Sequence, residues 1–451
     1  GEETVIRNQK RLGVIGIALS LTLVAAACGG DDDSANVDAT TAPTTQPAAE
    51  PAAEPAAEHL GDGSLGVVTV AAGEQIQIRS LEAITGDVAF LGVPNDRATI
   101  LAVADYGQIN GFDVTTGTSL DDLCSAEGGQ AAAQTIVSDE QVVGVIGTSC
   151  SGAATAAGPL ISESGGVMLS GSNTSPALTS DLIGNAGDNY NVGYYRTAHN
   201  DLFQGAAMAD FVFNELGFTT AAAIHDGDPY TQGLAQAFAT AFEELGGTVT
   251  AFTGVGKDDT DMVPVLTEVA AGSPEALFFP IFQPAGDFIA AQAPGIAGLE
   301  NTQLLAADGL LVDGFLQIPE SEGMYFSGPD VRFGENVNQS TGKTAAEVLA
   351  AYQSEYGEPP SAPFWGHSYD ATTLLLDAVK AASWVEDGSL MIDRAGIRES
   401  LNSTSGYSGL IGTLSCDDFG DCGSQKITII KHDSSADIEA SKANVVFEFA
   451  P

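Results

Sequence analysis

The chain has 451 residues, 44% of them hydrophobic, with 15 Lys and Arg against 60 Asp and Glu for a formal net charge of −45. That length accommodates two domains with ample cores, and the shortage of cations argues against nucleic acid or an anionic lipid surface as partner, since both require a basic face. The acidic balance suits a highly soluble protein, or one bathed in external salt that screens its self-repulsion.

In chain order, Arg7, Lys10 and Arg11 precede an apolar run from Leu12 to Ala27 that ends in Ala25-Ala26-Ala27-Cys28-Gly29. A basic region, an apolar stretch and small residues before a cleavage point form a secretory signal, and the run is short for a membrane span. With Cys28 at that point, the segment resembles the lipobox of bacterial lipoproteins. The resemblance implies removal of residues 1–27, lipidation of Cys28 and an extracytoplasmic chain anchored to the cell membrane. Residues 28–60 then read as a disordered tether, because Asp31-Asp32-Asp33, Thr40-Thr41 and repeated Glu-Pro-Ala-Ala units have no apolar face to bury. A flexible tether of ~30 residues spans roughly 30 Å on average. Gly61-Asp62-Gly63-Ser64-Leu65-Gly66 carries the letters of a dinucleotide-binding loop but opens no helix, so that reading fails on context.

From about Glu74, strand and helix signals alternate, which predicts α/β architecture with parallel sheets covered by helices. Strands are expected at 75–81, 142–147, 167–170, 221–225, 248–252, 276–282 and 303–307. Helices are expected at 88–107, 129–138, 204–216, 230–245, 262–271, 344–356, 368–382 and 392–401. Val142 to Ile146 and Val167 to Leu169 are short apolar runs, as for strands buried on both faces. Each ends in small hydroxyl residues and leads into a helix. Ligands of open α/β sheets bind at such strand ends, where helix N–H groups and hydroxyls hold anions. Ser151 and Thr174 therefore form a candidate carboxylate cradle without a cationic side chain. The same residue types also cap helices, so capping is the competing reading.

These stretches, together with Ala83-Ile84-Thr85-Gly86, the Cys124 and Cys150 pair, Ser170 to Thr179, Tyr194-Tyr195-Arg196-Thr197-Ala198 and Ile224-His225-Asp226 with Tyr230, carry a resemblance in their order and spacing. Over roughly residues 74–451 the chain resembles the extracytoplasmic binding proteins for branched-chain and related amino acids. The resemblance implies a type I periplasmic-binding fold, two doubly wound parallel-sheet lobes joined by a three-crossover hinge. It puts the crossings near 196–198, 326–329 and 408–412, with lobe I at 74–197 plus 328–408 and lobe II at 198–327 plus 409–451. It assigns the carboxylate to Ser151 and Thr174, and the ammonium to the Asn173 carbonyl and to Asp308, which is shorter than the Glu common at that place in relatives. Tyr230 closes over the ligand from the second lobe, Phe282 adds an aromatic, and Phe90 or Leu91 lines the side-chain pocket.

The resemblance also pairs Cys124 with Cys150, leaving Cys416 and Cys422 to close locally around Asp417 to Asp421. A metal site is disfavoured by five scattered histidines and the lack of a Cys-x-x-Cys pair, and no cofactor is expected. Gly147 to Ser151 is not a nucleophile elbow, and neither Asp308 nor His225 has motif support as a triad partner, so no enzyme is expected. The implied function is capture of a small amino acid by hinge closure and delivery to an ABC permease. A receptor module for a sensory partner, or transport of an amide, urea or aromatic acid, are the alternatives.

Overall fold

The computed structural model describes residues 59–450, so the expected signal peptide, Cys28 and most of the tether lie outside the described residues. The expected tether runs two residues too far. His59 stacks on Trp384 with ring centroids 3.8 Å apart, and the Leu60 N–H donates to the Ala381 carbonyl at 3.1 Å. Gly63 then donates its N–H to Asp393 at 2.7 Å, and strand Val67–Val70 pairs antiparallel with Ser389–Asp393. Val68 and Val70 are buried in that pairing while Val67 and Thr69 are exposed, the alternation of a half-covered strand.

The first lobe holds a sheet in the order Val114–Thr115, Ile76–Glu82, Val142–Gly147, Met168–Ser170, Tyr194–Arg196, all parallel. Leu120–Asp121 also pairs with Ile76–Glu82. Every residue of Val142–Gly147 is buried because helices cover both faces. Val143 and Leu169 face one core, with Trp365–Ala381 packed on Ala89–Tyr106. Val142, Val145 and Met168 face the other, beneath Ala126–Val137 and Ser151–Glu163.

The second lobe holds a sheet in the order Val445–Phe449, Ile427–Lys431, Tyr325–Pro329, Gln303–Ala306, Ala276–Phe278, Thr220–His225, Thr248–Gly254. The last five run parallel, as expected for a doubly wound lobe, and Ile427–Lys431 and Val445–Phe449 join antiparallel at one edge. Tyr325–Pro329 leads out of this lobe and Ile427–Lys431 leads back in, so the neighbours run in opposite directions.

The third crossing comes later than expected. Leu410, Ile411, Leu414 and Cys422 belong to the core of the first lobe. Buried Asp370 holds them there by accepting the N–H groups of Leu410 and Ile411, each at 2.9 Å. The chain crosses at Gly423, where a Cβ would lie 2.0 Å from the Thr197 carbonyl on the first crossing. Residues 409–422 therefore sit on the first lobe, not the second. Both expected disulfides, Cys124–Cys150 and Cys416–Cys422, are formed. Among the described residues, no helix is long and apolar enough to cross a membrane.

Candidate ligand-binding cleft

The lobes meet across a closed cleft. Helix Ser151–Glu163 of the first packs against Pro229–Glu244 of the second. At their contact a Cβ on Gly152 would fall 2.6 Å from Asp228 Oδ2. That carboxylate is fixed, since Oδ1 caps its helix through the Tyr230 N–H at 3.0 Å and Oδ2 meets Lys257 Nζ at 2.9 Å. Gly152→Ala should therefore obstruct closure. Overpacking of about 1–3 kcal/mol corresponds to a roughly 5- to 150-fold weaker ligand affinity, with the melting temperature of the unliganded protein unchanged. Isothermal titration beside wild type checks it, and equal affinities would remove this contact from the closed state.

One cavity is lined by Leu91, Ser149, Cys150, Ser151, Ser172 and Phe364 together with Tyr230, Phe282 and Asp308. Five of the eight residues expected at the site are thus brought together from segments far apart in the chain. Phe90, Asn173 and Thr174 are not among its lining. On helix Ala89–Tyr106 neighbouring residues point about 100° apart, so Leu91 faces the cleft while Phe90 packs against the core of the second lobe. Ser149, Ser172 and Phe364 were not expected.

The hydroxyl side is built by the end of Val142–Gly147. Gly147 has φ +128°, and a Cβ there would lie 1.8 Å from the Leu81 carbonyl, so only glycine fits. Ser149 turns inward, donating its hydroxyl to Glu82 at 2.5 Å and its N–H to Asp122 at 2.7 Å. Ser151 opens the next helix, whose cap residue is Cys150 without a side-chain bond. The Ser151 hydroxyl is thus no cap. It accepts the Ser175 N–H at 3.3 Å and keeps its proton to donate, beside the helix's first N–H groups. The Asn173 side chain is engaged by Thr148 and Tyr194. Its carbonyl, expected to face a ligand ammonium, accepts from Arg196 Nη1 at 3.4 Å. Thr174 is 1% exposed with a hydroxyl that has no well-aligned partner.

Opposite stands Asp308, the acid of the cavity lining, with a second buried acid, Asp201, beside it. Asp308 follows Gln303–Ala306, and its Oδ1 accepts Gln204 Nε2 at 2.6 Å. Gln204 is itself oriented by Ser327 and His199. Burial pushes the Asp308 carboxyl from 3.8 up to about 6. Asp201, the first residue of helix Asp201–Asp210, is fully buried with neither oxygen in a well-formed hydrogen bond. Burial and then the neighbouring Asp308 charge push it well above the ordinary carboxylate range, against the opposing pull of the Thr174 hydroxyl. The nearby cation Arg196 is engaged by Asp421, Ser175 and Thr179. The acid pair therefore lacks a dedicated counter-charge. Asp201 escapes a sequence reading because an acid in a first helical turn is explained by the helix dipole. Tyr230 and Phe282 complete the wall, with ring centroids 5.3 Å apart, and the Tyr230 hydroxyl accepts the Gly309 N–H at 3.2 Å.

Comparison with known proteins identifies the family and the fold. The family described as periplasmic binding protein matches residues 75–434. The chain is 26% identical over 378 residues to Leu/Ile/Val-binding protein homolog 3 of Brucella melitensis, covering 80% of this chain and 93% of the relative. Its fold is similar to that of the leucine binding protein LivK of Thermotoga maritima, with a TM-score of 0.69, 24% identity and coverage of 83% and 99%. It is also similar to a solute binding protein of R. palustris in complex with benzoate, with a TM-score of 0.63, 17% identity and coverage of 84% and 98%. With the family match spanning both lobes and the two-sheet α/β architecture in agreement, the chain belongs to the periplasmic binding protein family and has its type I fold.

Proposed function

We propose that this solute-binding protein captures a free α-amino acid with an apolar side chain, of the branched-chain kind, and delivers it to an ABC permease from a membrane anchor at Cys28. The observation that carries the reading is Asp308, which lines the cavity across from the Ser151 hydroxyl and helix N-terminus without a dedicated counter-cation and with buried Asp201 beside it. An α-ammonium supplies the missing positive charge, an α-carboxylate takes the donors at Ser151, and Leu91, Tyr230, Phe282 and Phe364 surround the side chain. The ligand stabilises the closed state because only there do both lobes touch it. The name of the Brucella relative supports this ligand class.

The test is isothermal titration of residues 59–451, refolded to strip any carried ligand. Leucine, isoleucine, valine and phenylalanine are compared with 4-methylpentanoate, which is leucine without its amine, and with benzoate. Saturable heat from an amino acid and none from 4-methylpentanoate is the expected result. The aromatic-acid reading is favoured by the benzoate-bound neighbour and the aromatic wall. It leaves Asp308 uncompensated, and tighter binding of benzoate than of any amino acid would establish it.

A further inference from the structure

A second cavity of about 510 Å³ lies between the lobes, on the far side of the cleft wall. Phe364 lines the cleft while Trp365 lines this cavity, and Leu311 lines it three residues after Asp308. Helix Ala345–Tyr356 and the proline-rich segment 359–363 form its first-lobe side. Thr428, Ile430 and Val445 form the other. Its size falls in the range of roughly 300–1,000 Å³ typical of small-molecule sites.

The chemistry of the lining selects the occupant. Phe333, Leu349, Trp365 and Ile430 make it largely apolar. The two cations at its edge are already neutralised. Arg332 binds Asp330 and Glu448, each at 2.7 Å, and Lys442 binds Asp313 at 2.5 Å and Glu439 at 2.8 Å. An anion must break those pairs and enter a protein of net charge −45, while a cation finds the same carboxylates occupied. Thr428 is 6% exposed and lines the cavity, and its hydroxyl has no hydrogen-bond partner among the described residues.

We propose that this cavity is a second binding site, for a neutral, mainly apolar small molecule of ring size that hydrogen-bonds Thr428. Walls from both lobes couple its occupancy to closure, because an occupant that fits the closed geometry favours that state. The coupling rests on the hinge-closure reading, but binding in the cavity does not.

The test uses the emission of N-phenyl-1-naphthylamine, a neutral aromatic amine, without any amino acid present, so its failure leaves the cleft reading untouched. One saturable site is expected, and the sulfonated analogue anilinonaphthalene-sulfonate should bind at least tenfold more weakly. Ala346 is exposed at the lining, and Ala346→Trp should fill the space and reduce dye affinity at least tenfold. Thr428→Val keeps the shape and should weaken the dye by roughly 2- to 10-fold, the worth of one hydrogen bond. Thr428→Val carries the test if Ala346→Trp lowers the melting temperature. Absence of saturable emission, indifference to Thr428→Val, or equal affinity for the sulfonated dye would overturn the proposal.

Discussion

Asp308→Asn should weaken amino-acid binding by roughly 10- to 150-fold, because a charge-assisted hydrogen bond contributes about 1.5–3 kcal/mol. The shape is kept and the Gln204 contact retains an oxygen acceptor, so a loss reports the charge. Asp201→Asn should weaken binding less than about threefold. Asp201 is not part of the cavity lining, so its substitution leaves the ligand's direct contacts in place. The reverse ranking would assign the ammonium's charge partner to Asp201.

A pH profile gives the same partition. The ammonium pairs only with ionised Asp308, whose carboxyl titrates at about 6 in the unliganded protein. Wild-type affinity should therefore fall by up to about tenfold per pH unit below that value, over a range where the amino acid keeps both its charges. Asp308→Asn should be flat. The stability effect has the opposite sign. A carboxyl with a raised folded-state pKa stabilises the fold in its protonated form, a contribution present below 3.8 and lost as pH rises through about 6. Asp308 is thus suited to binding at the expense of the unliganded fold. A wild-type affinity that is constant from pH 7 to pH 5 would rule out Asp308 as the titrating partner.

Asp421→Ala should destabilise the protein by about 3–5 kcal/mol, since it leaves a buried guanidinium without its anion. Arg196 is 0% exposed and Asp421 5%. The guanidinium also holds the Ser175 carbonyl at 2.8 Å and Thr179 Oγ1 at 2.6 Å, tying the cleft loop to the hinge. The acid is carried there by the short loop that Cys416–Cys422 closes, and it also accepts from Asn200 Nδ2 at 3.2 Å. Urea unfolding measures the loss. The double substitution Arg196→Met with Asp421→Leu should recover part of it, because a buried pair is worse broken than replaced. A loss below about 1 kcal/mol for Asp421→Ala would show that water reaches the guanidinium.

Elements whose cause is local are readable from the chain alone. Val142–Gly147 is legible because burial on both faces demands an unbroken apolar run. Ala345–Tyr356 is legible because Thr344 and Glu347 form a capping box three residues apart. The hydroxyl at Ser151 is visible because it follows the buried strand Val142–Gly147 within four residues and opens the next helix. Tertiary structure alone decided what depends on partners distant in the chain. Arg196 and Asp421 are 225 residues apart, and no periodicity or spacing announces their contact. The third crossing shifted because Asp370 captures the Leu410 and Ile411 N–H groups 40 and 41 residues away. Asp201 was recognisable as one of a buried acid pair only once Asp308 stood beside it. Strands and caps follow from neighbours in sequence, whereas the charge balance and lining of a cleft follow from which lobes the fold presses together.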